Sequence, residues 1–145
     1  MFGGGVLKGL TVTLKEMIRP KVTTRYPDET YTFPNRFRGI QKLYPEKCIV
    51  CNQCAMVCPT QCITIRGKPH PDPAKKGKVL EAFEIHFDTC ILCDLCTEVC
   101  PTEAIVMTNR FELAEYTRDA LQKDMTWLTE NPAEAREVNL PWRKT

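Results

Sequence analysis

Apolar side chains recur at helical spacing near the start of the chain, between residues 5 and 19. Pro20 ends this run, whose apolar positions are Val6, Leu7, Leu10, Leu14, Met17 and Ile18. The stretch is too short, and too often interrupted by charge, to span a bilayer. We expect an amphipathic helix that lies on a membrane surface or against a membrane protein. The alternative is an ordinary helix packed on its own domain.

Strand patterns follow in the middle of the chain. Phe83, Ile85 and Phe87 alternate with Glu84 and His86, which is typical of a half-buried strand. Further short strands are predicted at residues 40–44, 62–66 and 104–108. The apolar positions after residue 110 predict a helix over 111–128 that ends before Asn131-Pro132. A tail then runs to residue 145.

Two stretches show no persistent period. Residues 20–47 contain four prolines with tyrosine, phenylalanine and arginine between them, which indicates an extended arm bound to a partner. Residues 67–78 contain three prolines and four lysines, which predicts an exposed loop. Each stretch therefore connects elements or contacts other chains and adds little to a core.

Eight of the nine cysteines form two copies of one pattern, C-x2-C-x2-C-x3-C-P. The first copy consists of Cys48, Cys51, Cys54 and Cys58, followed by Pro59. The second copy consists of Cys90, Cys93, Cys96 and Cys100, followed by Pro101. Nine of nineteen residues are identical when residues 48–66 are aligned with 90–108, so the chain contains an internal repeat.

The spacing of these cysteines indicates iron–sulfur ligation. Three thiols two residues apart can bind one [4Fe–4S] cluster from a single loop, whereas the fourth lies too far around the turn and binds the other cluster. We therefore expect two [4Fe–4S] clusters with crossed ligation. Cluster 1 is assigned to Cys48, Cys51, Cys54 and Cys100, and cluster 2 to Cys90, Cys93, Cys96 and Cys58.

Zinc sites and disulfides are the alternative uses of these cysteines. Structural zinc sites pair two C-x2-C units with no thiol left over, which this pattern does not fit. A disulfide framework requires a secreted chain, and no signal peptide is recognisable here. The ninth cysteine, Cys62, aligns with Ala104 and is expected to be a buried packing thiol.

Composition and charge limit the remaining possibilities. The 145 residues include eleven prolines and seven glycines, so one small domain with extensions is expected, stabilised largely by its clusters. Basic residues outnumber acidic ones nine to four in residues 1–47, whereas acidic ones dominate thirteen to six in 81–145. This asymmetry suits docking between dissimilar surfaces. The chain has no dinucleotide loop, nucleophile–base pair or nucleic-acid motif, so electron transfer is the chemistry expected.

The repeat also predicts how each cluster is surrounded. We expect apolar residues of each half to shield the cluster of that half: Ile49, Val50, Val57 and Ile63 for cluster 1, and Ile91, Leu92, Val99 and Ile105 for cluster 2. The second loop adds Asp94 and Glu98, and negative charge disfavours reduction. We therefore expect cluster 2 to have the lower potential.

Taken together, these stretches resemble subunit I of the NADH:quinone oxidoreductases, the two-cluster ferredoxin-like subunit of respiratory complex I. The similarity covers the amphipathic start, the arm segments VTTRYPDE and FPNRFRG, both cysteine stretches and the segment FELAEYTRDAL. It implies an α+β fold of the bacterial two-[4Fe–4S] ferredoxin type. The expected parts are a helix and docking arm at 1–38, the cluster domain at 39–108, and a C-terminal helix and tail at 109–145.

The resemblance also implies a function and a location. A peripheral subunit of this family would relay electrons from the flavin-side clusters towards the terminal cluster next to quinone. Its partners would be cluster-bearing subunits and the membrane subunit at the quinone site, with residues 5–19 at the membrane. It would lie on the cytoplasmic side of a prokaryotic inner membrane, or the matrix side for a mature mitochondrial chain.

Three other functions remain open at this point. The chain could be the equivalent subunit of a membrane-bound hydrogenase or of a ferredoxin-fed relative of complex I. It could be a free soluble ferredoxin, although the arm, helix and tail would then have no role. A third alternative is an assembly protein in which the clusters only stabilise the fold.

Overall fold

The computed structural model describes residues 3–30, 32–34, 36–71 and 77–132, in two compact units, Met1–Thr32 and Phe33–Thr145. The first unit contains helix α1, Gly3–Ile18, which confirms the helix predicted at 5–19. Its apolar side chains are 53% to 75% exposed. In the part of the chain that is described, no helix is long and apolar enough to cross a membrane.

The second unit is a mixed arrangement of short helices and antiparallel strands, as the α+β prediction requires. Its helices are α2 (Gln53–Val57), α3 (Leu95–Glu98) and α4 (Met125–Thr129). Its strands are β1 (Gln41–Leu43), β2 (Ile63–Pro69), β3 (Lys78–His86), β4 (Ile105–Met107) and β5 (Gln122–Lys123). Single 3-10 turns lie at Pro45–Lys47 and Asp119–Leu121.

Strand pairing joins the two halves of the repeat. β1 from the first half pairs with β4 from the second, with Lys42 opposite Val106. β2 pairs with β3, with Ile63 opposite Ile85, and β5 extends that sheet on the far side of β3. The buried core is correspondingly shared, and its most buried apolar residues are Ile40, Leu43, Phe83, Ile85, Ile105, Met107 and Leu128. Neither half could bury these side chains alone.

All four predicted strands are present, but two predicted segments need correction. The hairpin of β2 and β3 extends into the predicted loop at 67–78, of which 72–76 are outside the described residues. The predicted helix at 111–128 is wrong, because only α4 at its end is α-helical. Lys123 instead pairs with Ile85 in the sheet, and Asp124 caps α4 by accepting a hydrogen bond from the Trp127 amide at 2.9 Å.

The last part of the predicted arm belongs to the second unit. The Phe33 ring lies 4.3 Å from that of Phe37 and 5.1 Å from that of Phe111, measured between centroids. These contacts link the segment before β1 to the segment after β4. The predicted tail at 133–145 lies outside the described residues.

Candidate iron–sulfur centres

The pattern cysteines line two cavities, and the first of these, partly open to solvent, has a volume of about 350 Å³. Cys48, Cys51 and Cys54 line it from the first loop, and Cys100 reaches it from the second half. Apolar side chains complete the wall, including Leu43, Ile65, Phe83 and Ile105. The structure therefore brings together the four cysteines that the sequence assigned to cluster 1.

The second cavity, also partly open to solvent, has a volume of about 330 Å³. Cys90, Cys93 and Cys96 line it from the second loop, and Cys58 reaches it from the first half. Cys62, Gln41 and Asp94 also line it, beside apolar side chains that include Ile63 and Ile85. These four ligand cysteines are the set that the sequence assigned to cluster 2.

The donor sets fit iron–sulfur clusters. Each cavity has four cysteines of the repeated pattern on its wall, which is the number that a fully thiolate-ligated [4Fe–4S] cluster takes, and the second cavity has Cys62 in addition. Across the described residues, no three His, Cys, Asp or Glu side chains are arranged to hold a single metal ion. The thiols surround a space in both halves, as a polynuclear cofactor requires.

Unusual backbone conformations shape both loops. Three pairs of equivalent non-glycine residues have positive φ: Val50 and Leu92 (56° and 51°), Asn52 and Asp94 (60° and 74°), and Gln61 and Glu103 (51° and 53°). Left-handed conformations are unfavourable for such residues, most of all for a β-branched side chain. Their occurrence at matching positions indicates a function, because strain of this kind persists at sites that the surrounding structure enforces. Left-handed residues beside right-handed ones can form concave groups of backbone N–H donors, which suit an anionic group.

A glycine permits one of these turns. A Cβ atom on Gly67 would lie 2.6 Å from Cγ1 of Val50, which is closer than any side chain allows. Gly67 also lies beside the register shift in the pairing of β2 with β3. The strand after the first Cys-Pro turn thus leaves room for the strained residue of the first cysteine loop.

Short helices position the third cysteine of each loop. Cys54 lies in α2 and Cys96 in α3, and both thiols are buried. Burial raises the pKa of Cys54 to about 11 and also raises the pKa of Cys96. It raises the pKa of Cys48 as well. Because a buried thiolate without a counter-charge is unfavourable, these thiols should lose their protons only when they bind a metal.

The two cysteines that precede proline, Cys58 and Cys100, have a lowered pKa. Burial acts to raise the pKa of Cys100, but hydrogen bonds from the backbone at Ile105, Thr102 and Ala104 outweigh it and lower the pKa. The Ala104 amide donates to Cys100 Sγ at 3.3 Å. Cys58 shows the same balance, with hydrogen bonds that involve Thr60 and Cys62 lowering its pKa despite burial. The turn after each Cys-Pro pair therefore favours a thiolate.

The predicted shielding of the clusters needs correction. Ile63 lines the second cavity and Ile105 the first, so the strand of each half covers the cluster assigned to the other loop. This follows because each strand continues from the cysteine that has crossed over. Ile49 and Ile91 line the expected cavities but are 57% and 61% exposed, so they shield poorly.

Sequence reasoning missed two wall residues, Gln41 and Phe83. They occupy equivalent positions in the repeat, each seven residues before the first cysteine of its half. Gln41 lines the second cavity and Phe83 the first. Extending the repeat alignment upstream of the cysteines would have identified both. Cys62 is buried, as expected, and its position on the cavity wall was not anticipated.

Comparisons with known proteins identify the family of the chain. The family described as 4Fe-4S dicluster domain matches residues 47–104. NADH-quinone oxidoreductase subunit I 1 of Geobacter sulfurreducens is 44% identical over 118 residues, covering 79% of this chain and 87% of the relative. NADH-quinone oxidoreductase subunit I of Carboxydothermus hydrogenoformans is 41% identical over 114 residues, covering 79% of each chain.

Two further comparisons cover less of the matched protein. NADH-quinone oxidoreductase subunit I 2 of Streptomyces coelicolor is 41% identical over 92 residues, and the alignment spans 47% of that relative. A solved chain from the membrane-bound sulfane sulfur reductase, an archaeal respiratory membrane complex, is 27% identical with a TM-score of 0.53. That match covers 74% of this chain and 55% of the solved one. On the identity and coverage of the Geobacter and Carboxydothermus relatives, the chain belongs to the NADH-quinone oxidoreductase subunit I family.

Proposed function

We propose that the chain is an electron-relay subunit that holds two [4Fe–4S] clusters with crossed ligation. Cluster 1 is bound by Cys48, Cys51, Cys54 and Cys100, and cluster 2 by Cys90, Cys93, Cys96 and Cys58. The observation that carries the proposal is the composition of the two cavities, each lined by the first three cysteines of one loop and the fourth cysteine of the other. Cys58, and not Cys62, is assigned to cluster 2 because Cys58 occupies the position of Cys100 in the repeat.

The residues of the chain have defined tasks in this function. A bound [4Fe–4S] cluster exchanges one electron and, when all four irons have thiolate ligands, leaves no iron free for a substrate. The cysteines would hold the clusters, and the buried side chains of Phe83 and Ile85 would keep water away from them. Residues of β1, β2 and β3 line both cavities, so the two clusters would lie in one small domain, where an electron can enter at one cluster and leave at the other.

We further propose that the chain works within a membrane-associated NADH:quinone oxidoreductase. Support comes from the names of its relatives and from α1, whose apolar residues are exposed. Residues 1–38 would dock the chain at the membrane arm, with helix residues 5–19 at the membrane. The basic excess of residues 1–47 suits contact with anionic lipid headgroups on the cytoplasmic side.

An equivalent subunit of a related membrane complex is the second candidate. The solved chain from the archaeal sulfane sulfur reductase complex covers 74% of this chain with a similar fold. The same two clusters would then receive electrons from a donor other than NADH. The electron donor distinguishes these two candidates, whereas the cluster sites do not.

Two measurements test the proposal. Anaerobically purified protein should contain about eight irons per chain, since two [4Fe–4S] clusters require them. Stoichiometric zinc, or only about four irons, would contradict the cluster assignment. Extraction of the native complex in mild detergent should also recover an NADH-oxidising flavoprotein subunit with the chain. Recovery of a hydrogenase or sulfur-reducing subunit in its place would favour the second candidate.

A further inference from the structure

The walls of the two cavities differ at two equivalent positions of the repeat. Gln41 and Cys62 line the second cavity, where the first cavity has Phe83 and Ala104. All four side chains are at least 97% buried, so solvent does not contact them appreciably. The second cavity therefore has two polar side chains where the first has only apolar ones.

Cys62 lies against a proposed cluster ligand. Its Sγ is 3.4 Å from Sγ of Cys58, within hydrogen-bonding distance for sulfur. A ligand cysteine is a thiolate and can only accept, so the Cys62 thiol is the donor of this bond. The backbone amide at this position bonds the ligand cysteine in both halves, at Cys62 and at Ala104. The side-chain hydrogen bond from Cys62 to Cys58 has no counterpart at Ala104, and the two halves differ in this respect.

Gln41 makes a comparable contact on the opposite side of the cavity. Its Nε2 lies 3.9 Å from Sγ of Cys90, and this amide can only donate. Its Oε1 is buried and has no hydrogen-bond partner among the described residues. A buried, unpaired acceptor is unfavourable, so packing alone does not account for glutamine at this position. The Gln41 side chain is instead oriented with its Nε2 donor towards the Cys90 sulfur.

We infer that Gln41 and Cys62 are potential-setting residues, which donate hydrogen bonds to two sulfur ligands of cluster 2 and raise its reduction potential. This inference rests on the proposed ligand assignment. Hydrogen bonds to ligand sulfur reduce its negative charge and so favour the reduced cluster. Phe83 and Ala104 give cluster 1 no such donors. The two donors oppose Asp94, which lines the same cavity and disfavours reduction.

The test is a redox titration of the anaerobically purified full chain, with each cluster followed by its paramagnetic signal. Cys51→Ser and Cys93→Ser identify which signal belongs to which cluster. Cys62→Ala should change the ratio of oxidised to reduced cluster 2 about fivefold, the effect of losing one hydrogen bond. For a one-electron couple this is a fall of about 40 mV in the midpoint. Gln41→Met should lower the same midpoint by less, because its contact is longer.

Two further variants separate the donor from the volume of the side chain. Cys62→Val fills the space without a donor and should lower the midpoint as Cys62→Ala does. Cys62→Ser keeps a donor and should stay near the wild-type value. The inference is wrong if the midpoint of cluster 2 stays unchanged in Cys62→Ala and Cys62→Val, or if the midpoints of both clusters shift equally. Either result would leave the proposed function intact. Wild-type protein without two cluster signals would overturn both.

Discussion

Asp94 and Glu98 are the two carboxylates that the second loop has and the first lacks, and the structure separates their effects. Asp94 is 3% exposed and lines the second cavity, whereas Glu98 lies on the exposed side of α3. Asp94 is also held in place, since Thr97 Oγ1 donates to its carboxylate and, at 3.0 Å, to its backbone carbonyl. A buried, fixed charge beside the cavity is weakly screened. We expect Asp94 to depress the potential of cluster 2 and Glu98 to have little effect.

The size of the effect follows from Coulomb's law. At about 5 Å and an effective dielectric constant near 20, one charge changes the energy of the added electron by roughly 3 kcal/mol. For a one-electron couple this corresponds to about 130 mV, which is an upper limit because the Thr97 bond spreads the charge. Asp94→Asn should therefore raise the midpoint of cluster 2 by several tens of millivolts. Glu98→Gln should shift it by less than a third as much, as expected for a solvated charge.

The repeat supplies matched controls for this experiment. Asparagine is the residue at the equivalent position, Asn52, which has a similar left-handed conformation, so Asp94→Asn should keep the loop intact. The reciprocal Asn52→Asp should lower the midpoint of cluster 1, by less, because position 52 is exposed. The assay is a redox titration of each variant beside wild type. If Asp94→Asn leaves cluster 2 unchanged, or if Glu98→Gln has the larger effect, local burial does not decide which carboxylate matters.

Three other predictions test the ligation, the docking helix and the C-terminal fold. Cys58→Ser should damage the signal of cluster 2, and selective loss of cluster 1 would show that ligation is not crossed. Deletion of residues 1–19 should leave about eight irons per chain but release it from membranes, and normal membrane assembly would contradict a docking role. Asp124→Ala should destabilise the holo-protein by about 1 kcal/mol in denaturant unfolding, because α4 loses its cap, whereas exposed Glu130→Ala should not.

Local sequence patterns predicted the elements that depend on local physics. The alternation at Phe83 and Ile85 identified β3, and the spacing of apolar residues at 5–19 identified α1. The grouping of cysteines around the two cavities also matches the arrangement expected from their spacing. For α1 and β3, residues close in the sequence determine the geometry, so a pattern of period two, three or four is sufficient. The grouping of the cysteines joins residues far apart in the sequence, and it was predicted from the repeated C-x2-C-x2-C-x3-C-P pattern.

The failures arose where distant pairing decides the structure. The segment 111–128 has helical spacing, but β3 offers Ile85 as a pairing partner to Lys123, and the Phe87 amide donates to the Leu121 carbonyl at 3.0 Å. Those sheet contacts are invisible to a periodicity argument. The crossed shielding was missed for a related reason. The prediction moved the fourth cysteine of each loop to the other cluster but kept the strand that follows it, with Ile63 assigned to cluster 1 and Ile105 to cluster 2.

The cavity walls also show how function and stability conflict in this domain. Several features of the cluster loops and cavity walls are unfavourable for folding. They are the six left-handed non-glycine residues, the buried carboxylate of Asp94 and the unpaired side-chain oxygen of Gln41. A domain of this size has little apolar burial with which to offset them. The favourable term must therefore come from metal–thiolate bonds, which form only when the loops are already folded around the cluster. On this reasoning the strained loops are conformations that cluster binding stabilises. Removing the clusters should abolish cooperative unfolding of the second unit, because no metal–thiolate bonds would then offset the strain of the loops.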